Sequence, residues 1–458
     1  MSRAAKPIGS PFKAYDVRGM IPTQINMPFA YRFGQAMAAH AAPNSVVVGH
    51  DMRLDSAPLA AALQQGLQDS GVDVYPVGQC GTEEVYFHTA QMNADVGLMV
   101  TASHNPDSYN GIKIVLKGAT AATQENTLGP MEALVMGEDA FDVVAEFAAR
   151  GKAQPTLDRN LYIERLLAQV ENVDLKPLKI VAHGGNGCAG PIIDLLEPHL
   201  PFEFIKVDNE PDGRLPNGIP NPLLPEKRQR AADAVKAHGA DLGIAWDGDF
   251  DRCFFYDHEG TFVEGYYLVG LIGQTLVRQN GGGKVVYDPR LTWNTIDQIE
   301  AAGGTPIVCR TGHTFFKKVM RDNDAIYGGE MSAHHYFKDF AYCDTGMLPW
   351  LAIVAEICQS GISLKEMVAA RIEKFPCSGE INFTVDDAPT TIKKLQDELA
   401  SKANEVEDID GLGMVFDEWR CNIRASNTEP LLRLNLETRG NKPLLAEKTA
   451  LLSNLIRG

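Results

Sequence analysis

Val100-Thr101-Ala102-Ser103-His104-Asn105-Pro106 leaves an apolar run, 95–100, that has the length and composition of a buried strand. Small residues then turn the chain, and Pro106 stops any continuation. A serine is thereby displayed at a strand end with a histidine and an asparagine beside it, where α/β folds place their chemistry. A Ser-His pair alone reads as an ordinary polar turn, so the rest of the chain has to decide.

Upstream of that turn, Phe12 to Gly19 opens the ordered part, with Tyr15 in it and Arg18 just before the glycine. Residues 30–41 read as a helix. A β-rich run at 45–49 ends at His50-Asp51, and an amphipathic helix at 56–70 leads to a strand at 72–77. Downstream, a strand at 111–115 carries Lys113. This alternation implies a mostly parallel sheet. The stretch 118–152 closes the first unit.

A helix at 158–171 begins a second unit. A strand at 179–183 runs into Gly184-Gly185-Asn186-Gly187 and a helix at 190–196. That turn lacks the spacing of either nucleotide fingerprint, so a tight strand-to-helix connection is its first reading. A loop rich in Pro, Gly and Asn covers 210–223, and a helix covers 226–238. Then an apolar strand ends in Asp247-Gly248-Asp249-Phe250-Asp251-Arg252. In an extended segment this spacing puts the three carboxylates on one side. They would repel strongly without a cation, and oxygen-only ligands at this density suit Mg²⁺. Arg252 stands beside them, placed to grip an anion.

A third unit repeats the pattern with strands at 284–287 and 305–308 and helices at 293–301 and 314–322. Its polar turns carry Asp288-Pro289-Arg290, Thr311-Gly312-His313 and Gly329-Glu330-Met331-Ser332-Ala333-His334-His335. Glu330 and Ser332, if on one face, can bind adjacent sugar hydroxyls. His335 stays unassigned, since a lone histidine is more often a satisfied structural group. From about 372 the character changes: strand 381–385, helix 389–403, strand 413–416. A polar turn follows in which Arg424, Ser426, Asn427 and Thr428 form a compact set of donors for a phosphate dianion.

The totals bound the reading. At 458 residues the chain implies three or four domains. A formal charge of -17 argues against nucleic acid or an anionic membrane as partner, so an anionic substrate needs a locally basic pocket. No apolar run reaches the roughly 20 residues of a membrane helix, and the N-terminus lacks the apolar core of a secretion signal. The eight cysteines are scattered and read as free thiols of a cytoplasmic protein.

Together the serine, the three aspartates, the Glu/Ser clamp and the donor loop describe metal-assisted phosphoryl transfer on a phosphorylated polyol. A grip on a second phosphate separates this from a simple phosphatase, and an intact serine and metal set separates it from a phosphosugar-binding protein. The four ordered motifs, Thr101 to Pro106, Asp247 to Arg252, Gly329 to His334 and Arg424 to Thr428, resemble those of the α-D-phosphohexomutases along essentially the whole chain. The form from Gly329 to Phe337, followed by Ala341-Tyr342-Cys343-Asp344, is most similar to the bacterial phosphomannomutase branch.

The resemblance implies a heart-shaped, four-domain architecture around a central cleft. Three similar mixed-sheet α/β domains (1–152, 153–255 and 256–371) would precede a smaller α+β domain (372–458). It implies Ser103 as the phosphoserine, and Ser103, Asp247, Asp249 and Asp251 as holders of one Mg²⁺. Arg18, His104, Lys113, Arg252 and His334 match charged catalytic positions. Tyr15, Arg290, Gly312, His313, Glu330 and Ser332 match sugar-contacting positions, and Arg424, Ser426, Asn427 and Thr428 match the phosphate grip. The implied reaction interconverts mannose 6-phosphate and mannose 1-phosphate through a hexose 1,6-bisphosphate, with glucose phosphates as the alternative substrates. A monomer is expected. Arg290 replaces a lysine found in some relatives, and His334-His335 adds a histidine that some members lack.

Overall fold

The computed structural model describes residues 7–137, 150–425 and 431–457. The chain packs as two compact units. One runs up to Phe262 and takes in Asp339–Gln359; the other is Val263–Lys338 with the chain from Ser360 onward. Among the described residues no helix is long and apolar enough to cross a membrane, and the eight cysteines are free thiols.

In the first unit one sheet runs in the order Val17–Met20, Tyr109–Leu116, Val96–Val100, Ser45–His50, Asp73–Gln79. Val46, Val48, Leu98 and Val100 are buried in its core. The helix Met27–Ala41 covers it with Phe29, Phe33 and Met37, a stripe at helical spacing. Asn26 caps that helix by accepting from the Phe29 N–H. A second sheet sets Leu242–Trp246 between Lys179–His183, parallel to it, and Cys253–Tyr256, antiparallel to it.

The second unit lines up Thr305–Val308, Lys284–Tyr287, Tyr327–Gly329 and His335–Phe337 in that order. It also carries an antiparallel sheet in the order Cys377–Thr384, Leu431–Thr438, Trp419–Ala425, Leu412–Val415, Glu405–Glu407.

One local plan occurs in all four sheets. A strand pairs antiparallel with the next strand of the chain, and in the first three of these pairs a polar turn joins them. The pairs are Val96–Val100 with Tyr109–Leu116, Leu242–Trp246 with Cys253–Tyr256, Tyr327–Gly329 with His335–Phe337 and Trp419–Ala425 with Leu431–Thr438. The expected mostly parallel sheet is therefore mixed: parallel where helices cross over, antiparallel where the polar turns sit. The stretch from Arg420 also differs from the expected turn, because it is strand as far as Ala425.

Candidate active site

Ser103 stands in the turn after Val96–Val100 with a left-handed backbone, φ 51°, a conformation uncommon outside glycine and asparagine. Its Oγ is 2.9 Å from Asp247 Oδ2 and 2.9 Å from His104 Nδ1. Arg252 donates from Nε at 2.9 Å and from Nη2 at 2.7 Å to the same Asp247 oxygen, and Nη2 also meets His104 Nδ1. Desolvation, then the adjacent guanidinium, push the His104 imidazole down to about 4, so the neutral ring accepts at Nδ1. Arg18 reaches the turn from Val17–Met20, donating to Asn105 Oδ1 at 2.5 Å and to Asp16 at 2.6 Å. Tyr15 is half-buried just ahead of that strand.

Asp247, Asp249 and Asp251 are buried, and each brings a carboxylate oxygen within 4.8 Å of the others. They do not converge as the pleat of an extended strand. The chain turns tightly, with Phe250 N–H on the Asp247 carbonyl at 3.2 Å and Phe250 left-handed at φ 44°. Gly248 is required by contact: a Cβ there would lie 2.6 Å from the Ser103 carbonyl oxygen. The glycine thus lets the aspartate turn press against the serine turn.

Lys113, on Tyr109–Leu116, donates to Asp249 Oδ2 at 2.7 Å and Asp251 Oδ2 at 2.5 Å. Burial works against each charge in this cluster. Lys113 nevertheless stays above the usual lysine range because of Asp249 and Asp251. Arg252, then His104, hold Asp247 below the usual carboxylate range, and Lys113 does the same for Asp249. Three carboxylates face two cations, and Asp247 Oδ1 and Asp249 Oδ1 are buried with no hydrogen-bond partner. Unpaired buried oxygens on a carboxylate-rich turn fit a hard divalent cation.

In the second unit Arg290 follows Lys284–Tyr287 and is buried. Asp288 grips it bidentately, at 2.9 Å to Nε and 2.8 Å to Nη2. Its Nη2 also lies 3.2 Å from Ser332 Oγ, and the guanidinium is 3.9 Å from Glu330. Glu330 accepts from Tyr336 OH at 2.6 Å and from the Gly312 N–H at 3.1 Å. His313 opens the helix His313–Asn323. His334 is half-buried and stacks on Tyr336, whereas His335 is a core residue bonded to Tyr327 OH at 2.6 Å.

Arg424 is the penultimate residue of Trp419–Ala425 and donates to Glu380 Oε2 at 3.3 Å. Glu380 also lies 3.6 Å from Arg290 and 3.4 Å from Arg433, so three guanidinium groups surround one carboxylate. Ser426, Asn427 and Thr428 lie outside the described residues, as does part of 118–152.

Two participants are not evident from sequence motifs. Thr82 donates to Asp249 Oδ2 at 2.5 Å from a helix, Thr82–Gln91, whose residues show no apolar stripe. Glu380 sits in an otherwise ordinary strand and declares itself only through its three arginines. Asp288 could have been read, since an acid two residues before Arg290 is placed to hold it.

Four sequence models of one family match the chain in order. Phosphoglucomutase/phosphomannomutase alpha/beta/alpha domain I matches residues 9–129, domain II 160–260, domain III 264–375 and the C-terminal domain 380–450. The chain belongs to this phosphoglucomutase/phosphomannomutase family, and its four-domain architecture is that of the α-D-phosphohexomutases. It is 54% identical over 447 residues to the "Phosphohexose mutases" of Xanthomonas campestris pv. campestris, covering 98% of this chain and 99% of that one. It is 48% identical over 450 residues to the phosphomannomutase of Escherichia coli K12, covering 97% and 98%. A phosphoglucomutase/phosphomannomutase family protein from Burkholderia thailandensis superposes with a TM-score of 0.85 at 29% identity, covering 98% and 97%.

Proposed function

We propose that the protein is a phosphomannomutase that moves phosphate between the 6- and 1-oxygens of mannose, with Ser103 as the carrier. The observation that carries this reading is Ser103 Oγ 2.9 Å from Asp247 Oδ2, in a turn that gathers three buried aspartates. The full-length likeness to the Escherichia coli phosphomannomutase supports mannose. The enzyme is an isomerase that works as an intramolecular phosphotransferase.

In the direction from mannose 6-phosphate, the serine's phosphate passes to the sugar 1-oxygen. The bisphosphorylated sugar turns round and returns its 6-phosphate to Ser103. The residues bring specific help. Arg252 holds Asp247 and neutral His104 against the Ser103 oxygen. Lys113 balances Asp249 and Asp251. Asp247, Asp249 and Asp251 would hold one Mg²⁺ with the serine phosphate, and the ion when bound spreads the charge of the phosphoryl group in transfer.

Glu330 and Ser332 bind sugar hydroxyls, with Arg290 and Gly312 fixing their places. Arg424, with Ser426, Asn427 and Thr428, grips the phosphate that does not react. Burial, then the neighbouring Arg290, lowers Arg424 from the usual arginine range. Substrates are hexose phosphates, and bisphosphorylated hexose primes the serine.

A second reading has a specific ground. The Xanthomonas relative is named for phosphohexose and not for mannose alone, and mannose and glucose differ only in the configuration of the 2-hydroxyl. Measuring kcat/KM on mannose 1-phosphate and glucose 1-phosphate side by side decides. A ratio above roughly a hundred, about 2.7 kcal/mol, marks a dedicated mannose enzyme. A ratio near one marks a dual enzyme.

A further inference from the structure

The contacts around Ser103 Oγ do not explain what keeps a serine in a left-handed turn. Residues that bond the backbone of the turn, and not Ser103 Oγ, hold it from behind. Arg53 follows the strand Ser45–His50 and is 4% exposed. Its Nη1 donates to the carbonyls of Pro106 at 2.8 Å and Tyr109 at 3.1 Å. Its Nη2 donates to the carbonyls of Ser103 at 3.0 Å and Asn105 at 2.6 Å. One guanidinium therefore gathers four carbonyls of the serine turn.

Arg53 is itself anchored. Asp51 is 1% exposed and lies 3.4 Å from Arg53 Nε. Its Oδ1 accepts from the Arg53 N–H at 3.0 Å and from Ser56 Oγ at 2.5 Å. Its Oδ2 accepts from Thr101 Oγ1 at 2.7 Å, and Thr101 Oγ1 in turn accepts the Ser103 N–H at 2.8 Å. Both peptide groups of Ser103 are thus tied to one buried pair: the carbonyl through Arg53, the N–H through Thr101 to Asp51. The planar fork is essential, because lysine offers three donors from a single point and cannot span four carbonyls.

We propose that Arg53, anchored by Asp51, is a positioning residue for phosphoryl transfer: it fixes the turn that presents Ser103 Oγ to the aspartate cluster. The proposal rests on Ser103 being the phosphate carrier.

The test follows phosphorylation of the full-length enzyme by mannose 1,6-bisphosphate with Mg²⁺, read by intact mass and peptide mapping. In this step Ser103 Oγ bonds to phosphorus, one sugar O–P bond breaks, mannose monophosphate leaves and the serine proton is released. Wild type gains one phosphate on Ser103; if it gains none there, the carrier reading itself fails. Arg53→Lys slows that gain and kcat about a hundredfold, the cost of a roughly 1 Å misplacement. KM for mannose 1-phosphate stays within about twofold, because Glu330, Ser332 and Arg424 are untouched.

Free guanidinium restores Arg53→Ala at least about tenfold, a rescue that a general loss of stability would not show. Thr101→Val leaves Arg53 in place and removes the N–H tether, slowing phosphorylation about tenfold; it decides the matter if Arg53 variants do not fold. Phosphorylation at the wild-type rate in Arg53→Lys or in folded Thr101→Val, or a loss confined to KM, overturns the proposal.

Discussion

Ser103, in the turn after Val96–Val100, and Arg424, near the end of the strand Trp419–Ala425, each lie close to where a strand gives way to its antiparallel neighbour, yet their surroundings are opposite in charge. Around Ser103 the carboxylates outnumber the cations, and unpaired Asp247 and Asp249 oxygens call for a metal. Around Arg424 three arginines share the Glu380 carboxylate. The contrast teaches that the strand pair is a neutral bracket. What a turn binds is set by the few charged residues it and its neighbours bring.

The largest effect should come from the serine side. Ser103→Ala is expected to lower kcat at least about a thousandfold and to leave no phosphorylated peptide, measured by coupled assay and mass spectrometry. Asp249→Asn should weaken Mg²⁺ binding and cut kcat about a hundredfold; chelation should do the same to wild type and added Mg²⁺ should reverse it. If chelated enzyme kept full turnover, the charge contrast would lose its meaning.

On the arginine side the expected effect is on binding. Arg424→Ala should raise KM for mannose 1-phosphate roughly tenfold to a hundredfold, the loss of one charge-assisted hydrogen bond, with a smaller change in kcat. Glu380→Gln sharpens the comparison further. It removes the carboxylate that competes with a phosphate for three arginines, and should tighten sugar phosphate binding about fivefold, roughly 1 kcal/mol, by calorimetry. Weaker binding would instead make Glu380 the residue that aims the arginines.

The smallest effect concerns stability. Burial pushes His88 down to about 4 and His335 to about 3, from an ordinary value of 6.5. Both stay neutral in the fold while the unfolded chain takes up protons below about 6.5. Their contribution is complete above that pH and is lost as pH falls toward the folded values. His335→Gln should flatten the acid side of a denaturation profile between these limits, without altering kcat at neutral pH.

Much of this was legible in the sequence, and the exceptions have physical causes. The serine and aspartate turns stand out because each follows a fully buried apolar strand, Val96–Val100 or Leu242–Trp246. The return strand Cys253–Tyr256 does not, because the turn before it is too short to separate two elements. The aspartates were expected on one side of an extended segment, whereas a left-handed Phe250 and a tight turn bring them together. The spacing of Asp51 and Arg53 matches that of Asp288 and Arg290 and could have shown the anchor, but not the role, since the carbonyls that Arg53 gathers lie about fifty residues away. Glu380 likewise acquires its role only when Arg290 and Arg433 are folded against it.

The most direct measurement is a single-turnover chase. Enzyme carrying isotopically labelled phosphate on Ser103, freed of bisphosphate, is mixed with unlabelled mannose 1-phosphate and Mg²⁺, and the label in the protein and in the sugars is followed together. The account predicts that Ser103 loses its label as an equal amount of label appears in mannose 1,6-bisphosphate and mannose 6-phosphate, while unlabelled phosphate from the substrate returns to the serine. Release of the label as inorganic phosphate, or its retention on Ser103 while mannose 6-phosphate accumulates, would contradict the account.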